Sequence, residues 1–383
     1  MQYDFDQPVE RRGTDCIKWG LYPDDVIPLW VADMDFRSAE PIIQSLHQRV
    51  DHGVFGYTRP TEALRNAVRD RMQDLYQWQV RDEEILFLPG VVCGLNIAIQ
   101  AFAGPGEGVL AQPPVYFHFL KDPVHHGRAL MDPPLVRSGD TYEIDFDQFE
   151  KAITDRTRLF ILCNPHNPVG RVFNRSELEQ IADICLRRQL IICSDEIHCD
   201  LLYSGNRHIP IATLSPEVAD RTLTLMAPSK TYNLAGLECG YAIIQNEALR
   251  RRWQKTAQGI VPWVNIMGHV SALAALRDGQ EWLQQVMVYL EGNRDFLSGY
   301  LRDKMPEVRM CRMEATYLAW LDCSKAGLPG NPAAFFAKEA RVGLNNGPDF
   351  GRGGEGFVRL NFACPRSTLA AALDRMVSAL GRL

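Results

Sequence analysis

From about residue 85 onward, short apolar runs alternate with amphipathic stretches. "EILFLP" precedes "GVVCGLNIAIQAFAG", "GVLAQ" precedes "PVYFHFLKDPVHHG", and "RLFILC" leads into "RSELEQIADICLRRQ", before "LIICSDE" and "TLTLMAP". Runs so uniformly apolar, separated by helix-length segments, predict an α/β fold with a mostly parallel sheet sandwiched by helices. The last hundred residues read differently. A long helical stretch near 280–304 gives way to "TYLAWLD", a helix near 332–340, "GFVRLNF" and a final helix, the pattern of a smaller α+β domain. The stretch before residue 40 has little periodicity. The expected organisation is an N-terminal arm over 1–45 that packs with the small domain, a large domain over 46–282 and a small domain over 283–383.

Ligands of such sheets bind beyond the carboxyl ends of the strands, so chemistry is sought there. In "TLTLMAPSKTYNLAGLECG" (222–240), Lys230 is the lone basic residue between Arg221 and Arg250. A solvated loop lysine and a reactive amine are equally compatible with that position taken alone. In "IICSDEIHCD" (191–200), Asp195 ends an otherwise apolar strand, where burying a carboxylate costs several kcal/mol unless a cation or strong donor meets it. The Asp-Glu-x-His-x-Asp cluster lacks a second histidine at ligand spacing, so no metal is expected, and a partner for a ligand cation fits better. "CNPHNPVGR" (163–171) carries two Asn-Pro steps just after a strand. They predict an extended, rigid loop, either plain turn chemistry or a platform for the Asn167 amide.

"LPGVVCGLN" (88–96) reads as a strand end, a glycine and a helix start. Its free backbone N–H groups make an anion cup or an ordinary turn. Tyr116 in "PPVYFHF" is a core aromatic or a stacking ring. Arg359, within the apolar "FVRLNF", is a salt-bridge partner or a carboxylate clamp. "GRGGEG" (351–356) matches a dinucleotide fingerprint in letters only, because a strand rather than a helix follows it. A lysine for a Schiff base, an acid for a ring cation, an amide for a ring oxygen, a phosphate cup, a stacking ring and an arginine together suit pyridoxal 5'-phosphate and an amino acid.

Composition narrows the classes further. Among 383 residues, 41 Lys and Arg stand against 47 Asp and Glu, a net charge of −6. That excess of acid argues against a nucleic-acid partner. The polar N-terminus lacks a signal-peptide core, no apolar run approaches the roughly 20 residues of a membrane span, and none of the ten cysteines forms a CxxC pair. A reduced, cytoplasmic protein without membrane attachment is expected.

"PLWVADMDF" (28–36), "FGYTRP" (55–60), "NPHNPVGR", "SDEIHCDL", "APSKTYNLAGL" (227–237) and "GFVRLNFACPR" (356–366) together resemble the fold-type I pyridoxal-phosphate enzymes of the class I/II aminotransferase superfamily. They are most similar to the MalY/PatB-type cystathionine β-lyases. The resemblance implies that Lys230 carries the cofactor and later removes the substrate Cα proton. It implies that Asp195 pairs with the pyridinium nitrogen, Asn167 with the phenolate oxygen, and that Tyr116 stacks on the ring. The backbone at Val92 and Cys93, with Ser229, holds the phosphate, joined by Tyr57 from the neighbouring subunit of a homodimer with shared sites. Arg359 clamps the substrate carboxylate, and His198 stands near the phenolate oxygen. Trp30, Tyr317 and the 343–354 loop are candidates for the side-chain pocket. Many relatives carry a phosphate-binding arginine about eight residues past the lysine, where this chain has Glu238, expected to point away from the phosphate. The implied reaction is β-elimination from L-cystathionine and related thioethers to a thiol, pyruvate and ammonia. The alternatives are an aminotransferase and a cofactor-binding regulator that acts through a protein partner.

Overall fold

The computed structural model describes residues 2–383. Its principal elements, in chain order, are α1 (Glu40–His52), α2 (Glu62–Tyr76), β1 (Ile85–Leu88), α3 (Val91–Phe102), β2 (Gly108–Leu110), β3 (Ala129–Met131) and β4 (Thr157–Cys163). There follow α4 (Arg175–Arg187), β5 (Ile191–Asp195), β6 (Thr222–Met226), β7 (Gly240–Ile243), α5 (Ile266–Asp278) and α6 (Gln280–Lys304). The chain ends with β8 (Arg309–Met310), β9 (Leu318–Asp322), β10 (Asn345–Asn346), β11 (Phe357–Asn361) and α7 (Arg366–Leu380).

Seven strands form the central sheet in the order β1-β7-β6-β5-β4-β2-β3. Only β7 runs against its neighbours, pairing antiparallel with both β1 and β6. The uniformly apolar strands have two buried faces to fill. Leu159 and Ile161 of β4 pack with Cys193, Leu223, Leu225 and the apolar side of α3. The alternate residues Phe160 and Leu162 pack with Ile192 and with Leu178, Ile181 and Cys185 of α4. Each such side chain contributes about 1.5–3 kcal/mol when fully buried. Helix α4 begins on a reciprocal cap. Asn174 accepts from the Glu177 N–H, and Glu177 accepts from the Asn174 N–H at 2.9 Å.

The C-terminal strands form a separate antiparallel sheet in the order β8-β9-β11-β10. The N-terminal segment adds Ile27–Pro28 as a parallel partner of Val342–Gly343. It also contributes Phe5, Leu29, Met34 and Phe36 to the apolar cluster that holds Leu290, Leu318 and Leu360. The positions 45 and 282, taken from sequence as domain limits, fall inside α1 and α6. The buried face of α6 runs on without a break through Trp282, Leu283, Val286 and Leu290. Among the described residues, no helix is long and apolar enough to cross a membrane.

Candidate active site

Three turns at the carboxyl ends of parallel strands carry the first group of side chains. Asp195 is the last residue of β5. It shares the sheet face of Cys193 and α3, because alternate residues of a strand face the same way. Its carboxylate is buried and accepts the Ile197 N–H at 3.1 Å, and no cation pairs with it among the described residues. Burial pushes its pKa up to about 7. The neighbouring Glu196 charge adds to that shift, and the Ile197 N–H and the Lys230 charge oppose it.

Lys230 lies on the one-turn helix Pro228–Thr231 that follows β6. Its Nζ donates to the Ala32 carbonyl at 2.7 Å. Desolvation lowers its pKa to about 8; the Arg359 charge also lowers it, while Asp33 and Asp195 raise it. His198 is buried on the loop beyond Asp195, and its Nδ1 has no hydrogen-bond partner. Burial, followed by the Lys230 and Arg359 charges, pushes it down to about 3, which keeps the imidazole neutral.

The Asn-Pro loop after β4 is not the extended run expected from its sequence. Both Asn-Pro peptide bonds are cis. The chain doubles back, with the His166 N–H donating to the Arg171 carbonyl and the Gly170 N–H to the His166 carbonyl, each at 2.8 Å. Backbone pairing within the loop replaces the extended conformation. It brings Asn167 against Arg359, whose Nη1 donates to Asn167 Oδ1 at 2.9 Å. The amide nitrogen of Asn167 is then the group left to face a ligand.

Arg359 sits in the middle of β11. It is buried, and its other bonds go to neutral acceptors, Asn345 Oδ1 at 2.6 Å and the Trp30 carbonyl at 3.3 Å. Its charge lies over the Phe350 ring, 4.8 Å from the centroid. Nε has no partner, and no carboxylate pairs with the group among the described residues. Burial without an anion pulls its pKa down to about 10. A buried guanidinium in that state is a site for an anionic ligand.

Helix α3 starts at Gly90, whose φ of +120° lies in a region open to glycine. Its first turn presents the N–H groups of Val91, Val92 and Cys93, which have no partner within the helix. Gly90 lies beside Gly240, which in turn lies beside Ala227, so this helix end faces the turn that carries Ser229 and Lys230. Tyr116 donates its backbone N–H to the Asn167 carbonyl at 3.1 Å. Burial raises its phenol to about 12. Glu238 is exposed, in left-handed conformation after the short turn Ala235–Leu237.

Two expected residues have their side chains engaged elsewhere within this chain. Tyr57 is fully exposed, its ring 6.0 Å from that of Trp263. Trp30 turns its indole N–H to the Lys18 carbonyl at 3.0 Å, and only its backbone carbonyl touches Arg359. Asn345 and Phe350 lie in the 343–354 loop expected near the substrate, though neither was singled out; the Ala32 carbonyl, which also accepts from Tyr317 at 3.1 Å, was missed. A strap over residues 31–36 carries that carbonyl. Asn361 Nδ2 donates to the Val31 and Asp33 carbonyls, and Asn233 bonds both edges of Met34. Buried Lys18 and half-buried Arg11 neutralise Asp33 and Asp35 beside it.

The group described as aminotransferase class I and II matches residues 24–376. The chain belongs to that family. It is 40% identical to cystathionine beta-lyase PatB of Bacillus subtilis (strain 168), over 98% of this chain and 100% of that one. The crystal structure of OvoB superposes with a TM-score of 0.95 at 43% identity, covering 99% of each chain. Cystalysin from Treponema denticola, whose structure contains a pyridoxal 5'-phosphate cofactor, superposes at 0.96 with 33% identity over the whole of both chains.

Proposed function

We propose that this chain is a pyridoxal-phosphate-dependent C–S β-lyase that cleaves L-cystathionine and related cysteine thioethers. One observation carries the reading. Buried Lys230 lies within electrostatic reach of both Asp195 and Arg359, and Tyr116 within reach of the same two, yet none of the three charged groups has a salt-bridge partner among the described residues. The three charges suit a ring cation, a carbonyl and an α-carboxylate. The orphaned Arg359 Nε and His198 Nδ1 are further polar atoms for a ligand to satisfy.

In this reading Lys230 would bond the cofactor, Asp195 would pair with its ring nitrogen, Asn167 and His198 would serve its ring oxygen, and Tyr116 would stack on the ring. The first turn of α3 at Val92 and Cys93, with Ser229, takes the phosphate through backbone N–H groups, so no arginine is required at position 238. Arg359 and Asn345 hold the substrate carboxylate. The bound cofactor supplies a sink for the electron pair left when Cα loses its proton. Once the substrate amine has displaced it, the freed Lys230 amine, with its pKa near 8, takes that proton at Nζ. The Cβ–S bond then breaks and the thiol leaves with a proton, as homocysteine when L-cystathionine is cut. Water converts the remaining aminoacrylate to pyruvate and ammonia.

The proposal extends to a cytoplasmic homodimer. Val54, Phe55, Tyr57, Ile260 and Trp263 are large apolar side chains exposed in two nearby segments, and Tyr57 and Trp263 line a cavity of about 970 Å³. A second copy covers them and receives Tyr57 at its phosphate. Mixing Lys230→Ala with Tyr57→Ala subunits tests sharing: random pairing restores about a quarter of native sites, whereas unshared sites restore none.

The activity itself is tested by incubating the holoenzyme with L-cystathionine and no 2-oxo acid. Pyruvate and thiol are expected in equal amounts. Pyruvate that forms only once a 2-oxo acid is supplied would make the chain an aminotransferase.

A further inference from the structure

We propose that Asp200 and Thr231 form a positioning latch that sets Lys230 against Asp195. The inference rests on the lyase reading and adds two residues to it. Lys230 stands on a helix of four residues, too short to hold its own shape. Asp195 stands on a different turn, beyond a different strand. Something must fix one turn relative to the other, since misplacing a reacting group by about 1 Å can cost a hundredfold in rate.

The side chains that do so lie just outside the site. Thr231, next to Lys230, is buried and donates its hydroxyl to Asp200 Oδ2 at 2.9 Å. Asp200 ends the same "SDEIHCD" stretch that contains Asp195. Its other oxygen, Oδ1, is bound by Arg71 of α2. Arg71 and Asp200 are each about nine-tenths covered, so the carboxylate is ionically matched and both its oxygens are assigned. The loop between is itself tied down, with the Cys199 N–H on the Glu196 carbonyl and the Leu201 N–H on the His198 carbonyl. The result is a short, fully bonded link from the ring-nitrogen carboxylate, through Asp200, to the residue beside the catalytic lysine. It also accounts for the final acid of the Asp-Glu-x-His-x-Asp cluster. Glu196, the middle acid, is bound separately by Ser194 and His208.

Arg71 and Asp200 are a buried ion pair, and breaking it risks unfolding the protein. The test therefore uses Thr231→Val, which keeps the shape and removes the hydroxyl, and Thr231→Ser, which keeps the hydroxyl. Three quantities are measured on each holoenzyme: kcat and KM for pyruvate release, the rate of cofactor release into a trapping apoprotein, and Tm. The latch predicts that Thr231→Val lowers kcat about ten- to a hundredfold with KM within about twofold. It also predicts faster cofactor release, with Thr231→Ser near the wild type in all three. A Thr231→Val enzyme with native kcat and release rate, whatever its Tm, overturns the latch. So does a Thr231→Ser enzyme as impaired as Thr231→Val. Lys230→Ala, run in parallel, separates the two levels: if it turns over like the wild type, the lyase reading fails and the latch with it.

Discussion

The two banks of the site are built differently. On one, Asp195, Lys230 and the start of α3 stand at the ends of sheet elements whose neighbours are buried and apolar. On the other, Arg359 and Asn361 bond the Trp30, Val31 and Asp33 carbonyls across hundreds of residues of sequence, and Arg359 also bonds the Asn345 side chain. The first bank offers what a cofactor needs, and the second offers what a substrate carboxylate needs. In the proposed reading the sheet bank holds the cofactor, while the polar ties of the other bank hold the substrate.

Substitutions on each bank should fail in different ways, and the largest effects belong to the sheet bank. Lys230→Ala should lower turnover about a thousandfold or more, measured as pyruvate release. Asp195→Ala should both weaken cofactor affinity and abolish most turnover; normal affinity there would break the division. On the strap bank, Arg359→Lys keeps the charge but loses the fork. It should cut kcat/KM by roughly a hundredfold, mainly through KM, with cofactor affinity unchanged by titration. Asn361→Ala removes the donors to Val31 and Asp33. It should cost about 2 kcal/mol of stability and several-fold in kcat/KM, again without loss of cofactor.

The smallest expected effect is one of pH. Without cofactor, Asp195 has a folded pKa of about 7 against an ordinary 3.8. Between those values the folded state holds more protons than the unfolded state. Stability from this group is therefore full below about pH 4 and is lost as pH rises through 7. A ring cation beside Asp195 removes that loss. The gap in Tm between holoprotein and apoprotein should widen by about 2 °C or more from pH 5 to pH 7. A constant gap would sever Asp195 from the ring nitrogen.

The same contrast explains what was legible in the sequence. Asp195 and Lys230 stood out because a charged residue interrupts apolar strand text, and the sheet that carries them follows from the same pattern. Arg359 stood out for that reason too, but nothing in the sequence joined it to its partners Asn167, Trp30 and Asn345. Asn345, Asn361 and Asn233 are ordinary polar residues in loops and strand ends until tertiary structure brings carbonyls to them. The Ala32 carbonyl has no side-chain signature at all. The Asn-Pro loop was misread as extended because local preference at proline was weighed without the His166–Arg171 backbone pairing. Trp30 illustrates a related limit: the position reaches the site, but through its backbone.

The central claim is that Lys230 bonds the cofactor, and it is tested most directly by borohydride reduction of the yellow holoprotein followed by peptide mapping. One pyridoxyl group per chain is expected, all of it on the peptide containing "APSKTYN", with the protein decolourised. A label on any other lysine, or an unlabelled Lys230 in a protein that still releases pyruvate, would contradict it.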